Sequence, residues 1–271
     1  MAKRVESPSS INTFLQCKRK YYYQYIEKHS VPSTIHTLRG QIVHAVLDKF
    51  YSVSIISFTN ATYPQQLRVE LQDIFIKEWG AQREALLKLH LPREKLITIF
   101  DETLLMLFNW YEHFLCELKV KVQKTGDVQL AFAALIPQRE IELTSASYSV
   151  HGFADAIYSV NDAVHILDYK TNAQTEIKDS ILLQLAIYSL IYEEMYGKRP
   201  DKVGAFFLRD TVKMLDVDEH LITLAKQEIK KIHEHTSTAE HIDAYPRTVT
   251  PLCKWRDGQC AFYDFCKPHA H

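Results

Sequence analysis

The feature that most restricts the fold of this chain is a change of hydrophobic period near Gly126. Before that point apolar residues recur at intervals of three and four, the stripe of an amphipathic helix. After it, β-branched and aromatic residues come in short runs separated by turn material such as Asn161 and Asp162, the pattern of strands. A chain that is helical first and then alternates strands with helices has few architectures open to it. We expect an α/β fold, a mixed β-sheet core flanked by helices, with a helical lobe placed before it.

The elements are expected as follows. Ser9 and Ser10 suit the N-cap of a first helix, in which Phe14, Leu15, Tyr21, Tyr22, Tyr25 and Ile26 fall near helical spacing. LRGQIVHAVLDKFY makes a second helix, with Ile42, Val43, Val46, Leu47 and Phe50 as its apolar face, and two more cover roughly 64–90 and 93–121. Strands are expected in VQLAFAALI, REIEL, YSVHGFADAIYSV and AVHILDYK, then a helix over about 176–197. A strand pair in VGAFFLRD and VKMLDVD and a helix over about 219–234 precede a cysteine-rich tail. With no internal repeat or Gly/Ser linker, 1–271 reads as one domain: a mainly helical lobe at 1–125, an α/β core at 126–240 and the tail at 241–271.

Composition narrows the function classes. The chain has 271 residues, 46% of them hydrophobic, enough for a sizeable core. No stretch approaches the roughly 20 apolar residues of a membrane span, and MAKRVESPSS lacks a signal peptide's apolar run, so a cytoplasmic protein without a membrane partner is expected. Five cysteines, an odd count unevenly placed, argue against a disulfide framework and leave thiols free for metal. A net charge of −1, from 32 basic and 33 acidic residues, advertises no polyanionic partner, so nucleic acid would need a local basic patch or a metal.

The chemistry concentrates in HGFADAIYSVNDAVHILDYKTN. Asp168 and Lys170 are two apart on an expected strand and project from one face, while Asp155 at one end of the preceding strand can reach the same edge. Two carboxylates at close quarters repel, and a hard divalent cation relieves the repulsion. A lysine beside that ion can orient an attacking water and stabilise charge on a phosphoryl group. An isolated D-x-K is more often a surface ion pair on a solvated strand. Glu140 and Glu142 share a face of the strand before, and either reaches the metal or faces solvent.

Gly152 to Asp155 (G-F-A-D), Asp168 to Lys170 (D-Y-K) and Gln184 to Tyr188 (Q-x-x-x-Y) together resemble the PD-(D/E)XK nuclease superfamily in its RecB-like branch. Gln184 and Tyr188, four apart, share a helical face after the catalytic strand. Leu38 to His44 (L-R-G-Q-I-V-H) is similar to that family's helical-lobe motif, although a lone histidine on an amphipathic helix is ordinarily a core or rim residue. The resemblance implies a restriction-endonuclease-like sheet and one or two Mg²⁺ or Mn²⁺ ions held by His44, Asp155, Asp168 and the Tyr169 carbonyl. It implies that Lys170 positions the water, that Gln184 and Tyr188 orient the lysine or the DNA, and that Glu142 is an assisting carboxylate. The substrate so implied is single-stranded DNA or frayed ends, attacked exonucleolytically, with some endonuclease activity, in DNA repair or CRISPR adaptation. No G-x-x-x-x-G-K-[ST] loop occurs, so unwinding would come from a helicase partner or the context from a CRISPR integrase complex; an oligomer is compatible.

The tail PLCKWRDGQCAFYDFCKP places Cys253, Cys260 and Cys266 as C-x6-C-x5-C, without the short C-x2-C knuckle of structural zinc sites. Alone it admits zinc, with Cys17 or His269 as fourth ligand, an iron-sulfur cluster, or incidental cysteines. Cys116 lies on an apolar helical stretch and reads as a small buried hydrophobe. SSINTFLQCKRKYYYQY resembles the opening of the iron-sulfur nucleases, which include the AddB nuclease domain and the CRISPR-associated Cas-four exonucleases. That resemblance implies a 4Fe-4S cluster on Cys17, Cys253, Cys260 and Cys266, stapling the N- and C-terminal segments. Trp255, Phe262, Tyr263 and Phe265 would shield such a cluster or serve as ordinary packing. Lys18, Arg19, Lys20 and Tyr21 to Tyr23 either touch a phosphate backbone and stack bases or form a solvated helix face with tyrosines turned inward.

Overall fold

The computed structural model describes residues 4–160, 162–256 and 258–267. His269 and Asn161, named above, lie outside the described residues. Helix α1 (Pro8–Gln16) starts from Ser7, not Ser9 or Ser10. The Ser7 hydroxyl accepts from Ser10 N, the Ser10 hydroxyl accepts from Ser7 N, and Pro8 takes the first turn, where its missing N–H costs nothing. The single helix expected here breaks at Cys17, which is extended, and resumes as α2 (Lys18–Tyr21) and a π turn (Tyr22–Ile26).

The lobe follows with α3 (Ile35–Phe50), α4 (Tyr63–Ala81), α5 (Arg83–Leu87) and α6 (Arg93–Thr125). Gly126 ends α6 at φ 73, a left-handed cap that glycine adopts without a Cβ penalty. VQLAFAALI is not the expected strand but contains α7 (Val128–Ala133). Asp127 caps it by accepting from Leu130 N, and Val128, Ala131 and Phe132 are buried at helical spacing against the lobe. Then come β1 (Gln138–Ser145), β2 (Val150–Val160), β3 (Ala163–Lys170), α8 (Asp179–Tyr196), β4 (Lys202–Phe207), β5 (Val212–Asp216) and α9 (Glu219–Thr238). A short hairpin of β6 (Lys254–Trp255) and β7 (Gly258–Gln259) and a last turn, α10 (Tyr263–Cys266), form the tail. Among the described residues no helix is long and apolar enough to cross a membrane.

The sheet runs β1-β2-β3-β4-β5, mixed, with only β3 and β4 parallel and α8 as their crossover. One face packs on the lobe, where Phe50, Leu71, Leu107 and Phe114 meet Leu167, Tyr169 and Phe206. The other packs on α1, α8 and α9, where Ile11, Leu185, Ile187 and Ile229 meet Ile166, Val203 and Phe207. Helices on both faces are what strands as continuously apolar as β3 and β4 require.

Two irregularities position the site. Strands β2 and β3 are paired from Val160–Ala163 to Ala156–Leu167, and the ladder stops there. Asp168, Tyr169 and Lys170 continue in register with β4 only, so β2 and β3 part beyond Leu167. In the same place the alternation of β2 slips: Val150 and Ala154 face α8, Ala156 faces the lobe, and Ile157 faces α8 again. Asp155 stands at this slip, in the middle of β2 rather than at the strand end expected from sequence. The chain's start fills the vacated edge, with Glu6 bridging to Val150 and its buried carboxylate accepting from Tyr21 and Ser10.

Candidate active site

Asp168 and Lys170 share a face because β3 alternates, and that face meets α8. Lys170 Nζ lies 2.6 Å from Asp168 Oδ2 and donates to Gln184 Oε1 at 2.6 Å. Gln184 Nε2 donates to Asp168 Oδ1 and to the Tyr188 hydroxyl, each at 2.8 Å. The amide therefore reads acid and base at once, accepting from the lysine and donating to the carboxylate. Gly152 explains how Tyr188 reaches this position: a Cβ there would stand 2.7 Å from Tyr188 Cε1, so the ring occupies the space of a missing side chain.

Asp155 joins the two layers. Its Oδ2 accepts from Tyr169 N at 2.7 Å, in place of the strand carbonyl that β2 would otherwise supply, and its Oδ1 is 3.1 Å from His44 Nδ1. The other ring nitrogen, His44 Nε2, is 3.2 Å from the Tyr169 carbonyl. Helix α3 delivers His44 here because Val43, Leu47 and Phe50 are fully buried on the lobe core and fix its rotation. Burial disfavours the imidazolium, but the hydrogen bond to Asp155 and the charges of Asp155, Asp168 and Glu140 outweigh it and raise His44 to about 9. For Asp168, 3% exposed, burial wins over Lys170 and pushes the carboxyl above its ordinary range, with Asp155 adding to the rise.

The donor set suits a divalent ion. Ligand atoms of His44, Glu140 and Asp155 all lie within 4.8 Å of one another. They line a pocket of about 10 Å³ beside Tyr169, the room of one small sphere. Asp168 Oδ2 is buried and paired with the Lys170 ammonium at 2.6 Å. A buried carboxylate is costly unless a cation pairs with it, and Lys170 fills that place for Asp168. Imidazole with carboxylate oxygens suits Mg²⁺ or, with the nitrogen ligand, Mn²⁺.

Glu140, not Glu142, enters this group. Its backbone adopts φ 49, a conformation that costs a non-glycine residue about 1–3 kcal/mol. Burial and the neighbouring Asp155 raise its carboxyl, while His44 opposes. Glu142 is exposed, opposite Phe153. Alternation alone left both residues on one face; a local left-handed residue is not visible in an apolar pattern.

A profile of the PD-(D/E)XK nuclease superfamily matches residues 6–267. The chain belongs to that superfamily. It is 28% identical over 129 residues to the CRISPR-associated exonuclease Cas4 of Francisella tularensis subsp. novicida, a match covering 46% of this chain and 60% of the relative. A crystal structure of an exonuclease candidate from Eubacterium rectale superposes with a TM-score of 0.47 at 9% identity, covering 97% of this chain and 93% of that one.

This PD-(D/E)XK chain carries its four candidate cluster cysteines around one cavity of about 570 Å³, lined by Cys17, Cys253, Cys260 and Cys266 with Tyr23 and Phe262. Among the described residues no three thiols approach within 4.8 Å. A single tetrahedral zinc on thiolates would hold sulfurs about 3.8 Å apart, given Zn–S bonds of about 2.3 Å. Burial raises the Cys266 thiol, and Cys17 and Cys253 raise it further, against Arg247 and Arg19. Four cysteines on one cavity are the donor type a thiolate-bound metal group takes, but their sulfurs are not gathered around one point in this structure. Phe262 is buried, while Trp255 and Phe265 are 51% and 62% exposed and shield little. Cys116, expected buried, is exposed.

The basic run beside Cys17 resolves mostly into packing. Arg19 Nε donates to the Tyr245 carbonyl at 2.7 Å, Lys18 lies over Phe14, and Lys20 donates to Gln16. Tyr21 is fully buried with its hydroxyl on Glu6, so its ring is not open to a base.

Proposed function

We propose that this PD-(D/E)XK protein is a divalent-metal-dependent deoxyribonuclease that hydrolyses phosphodiester bonds at single-stranded or frayed ends. The observation that carries the reading is the convergence of His44, Glu140 and Asp155 ligand atoms within 4.8 Å, beside the Asp168–Lys170 pair where β2 and β3 part. His44, Asp155, Asp168 and the Tyr169 carbonyl would hold one or two Mg²⁺ or Mn²⁺ ions, with Glu140 rather than Glu142 as the assisting carboxylate. Bound there, the metal supplies charge neutralisation at the phosphate and a more acidic water.

The chain's own groups do the rest. Lys170, anchored by Asp168 and Gln184, has an N–H left to orient a water and to face charge growing on the phosphoryl oxygens. Tyr188 fixes the Gln184 amide and hence the separation of Asp168 and Lys170. Cys17, Cys253, Cys260 and Cys266 would hold a 4Fe-4S cluster whose contribution is architectural, tying α1 and the tail together; zinc is the rival occupant. A helicase or a CRISPR integrase complex fits as partner, since the chain has no Walker loop.

The test is digestion of end-labelled single-stranded and duplex DNA with Mn²⁺, wild type beside Asp168→Ala. Metal-dependent loss of label in the wild type alone supports the reading. DNA bound but left intact by the wild type points instead to a binding subunit with a nuclease fold.

A further inference from the structure

The edge at which β3 ends carries a second cluster that the proposed chemistry leaves unused. Leu208 N donates to the Lys170 carbonyl, which sets Arg209 at the same end of the parallel pair. Arg39 arrives from α3, its Nη2 donating to the Thr171 carbonyl at 2.8 Å, one residue beyond Lys170. Glu102 of α6 lies between the two guanidiniums, 2.7 Å from Arg209 Nη2 and 3.6 Å from Arg39 Nη1. His36, a turn before Arg39, and Lys95 on α6 complete the group. Burial and the charges of Arg39, Lys95 and Arg209 lower His36, with Glu102 alone opposing.

The cluster is short of negative charge. Arg39 is 4% exposed, and its Nε is buried without a partner. A guanidinium offers five donors, and burying one is costly unless they find acceptors. Arg39 has one carbonyl and one carboxylate at long range, and it shares that carboxylate with Arg209. Glu102 is itself 40% exposed, so it can swing aside without opening the core. The deficit suits an anion with several oxygens on a planar fork, as phosphate has. The location is the carboxyl end of two parallel strands, where α/β sheets present ligands.

We propose that Arg39, Lys95 and Arg209 form a rim that binds a backbone phosphate of the substrate strand, next in line to the one cleaved, with Glu102 holding the place until DNA displaces it. This rests on the nuclease reading above for its substrate. Arg39 organises the rim from within, and Lys95 and Arg209 meet solvent.

Binding of a labelled oligothymidylate, followed by anisotropy in metal-free buffer across a salt series, tests the rim apart from cleavage. The Lys95→Ala/Arg209→Ala double variant, both positions exposed, should bind about tenfold more weakly. Its log–log salt slope should fall by about 0.7, the share of one lost single-strand phosphate contact. Glu102→Gln, which cancels the competing carboxylate, should tighten binding, whereas Lys230→Ala on α9 across the sheet should leave the slope alone. A double variant with wild-type affinity and slope, or a weaker Glu102→Gln, overturns the rim. DNA bound through the rim but uncut with Mn²⁺ removes the nuclease reading and keeps the rim. DNA cut normally by variants that also bind normally removes the rim alone, and a wild type that neither binds nor cuts removes both.

Discussion

His44 Nδ1 stands 3.1 Å from Asp155 Oδ1 while its Nε2 faces the Tyr169 carbonyl, so the ring meets an acceptor on either side. Both contacts are satisfied together only by the imidazolium, in keeping with a pKa raised to about 9. The proton occupies the place of a cation. Below pH 9 an incoming Mn²⁺ must expel that proton, so apparent Mn²⁺ affinity should rise about tenfold per pH unit and level off above it. Calorimetric titration at pH 7 in buffers of different ionisation heat should register about one proton released per ion, and none in His44→Gln. Absence of release in the wild type would place His44 outside the metal shell.

Gly152 and Tyr188 make a prediction about a motif that carries no charge. Gly152→Ala sets a Cβ 2.7 Å from the Tyr188 ring edge, which must shift. Overpacking of this kind costs about 1–3 kcal/mol, and the shift propagates through Gln184 to Lys170. Denaturant melts should show that loss, and kcat should fall more than KM changes. Gly40→Ala is the contrast: its Cβ meets only Thr171 Oγ1 at 3.8 Å, and helix propensity should stabilise α3 by up to about 1 kcal/mol.

Gln184→Glu keeps shape and removes the donor that Asp168 Oδ1 accepts from. A second carboxylate beside a buried one raises its pKa further. On the proposed mechanism Asp168 works ionised, so the acid limb of the rate profile should move to higher pH, and stability should drop by about 1–3 kcal/mol at neutral pH. A rate profile unchanged from wild type would show that Asp168 does not set that limb.

Cys17→Ala probes the other end of the molecule. Anaerobically purified wild type should be brown and contain iron, and the variant should lose both the colour and the iron while keeping the sheet's far-ultraviolet signature. Colourless wild type with stoichiometric zinc would replace the cluster assignment by a zinc one.

What sequence reading reached were relations between near neighbours. Asp168 and Lys170 fall on one side of β3 because strands alternate, and Gln184 and Tyr188 fall on one side of α8 because helices turn. The same local logic misjudged VQLAFAALI, whose branched residues suit either state until Asp127 caps the segment and the lobe core takes its face. It also misjudged Cys116, which lies on the solvent side of α6.

The sequence by itself determined the α/β class, the order of lobe and core, and the pairs of residues that share a face, all set by periodicities a few residues long. Tertiary structure alone decided that β2 and β3 part beyond Leu167, that Asp155 stands at a slip in its strand, and that Glu140 rather than Glu142 joins His44. The reason is physical. Alternation fixes what a strand would present if it were regular, whereas the breaks in register that open a site come from packing two layers on one sheet, and no single stretch of chain contains both layers.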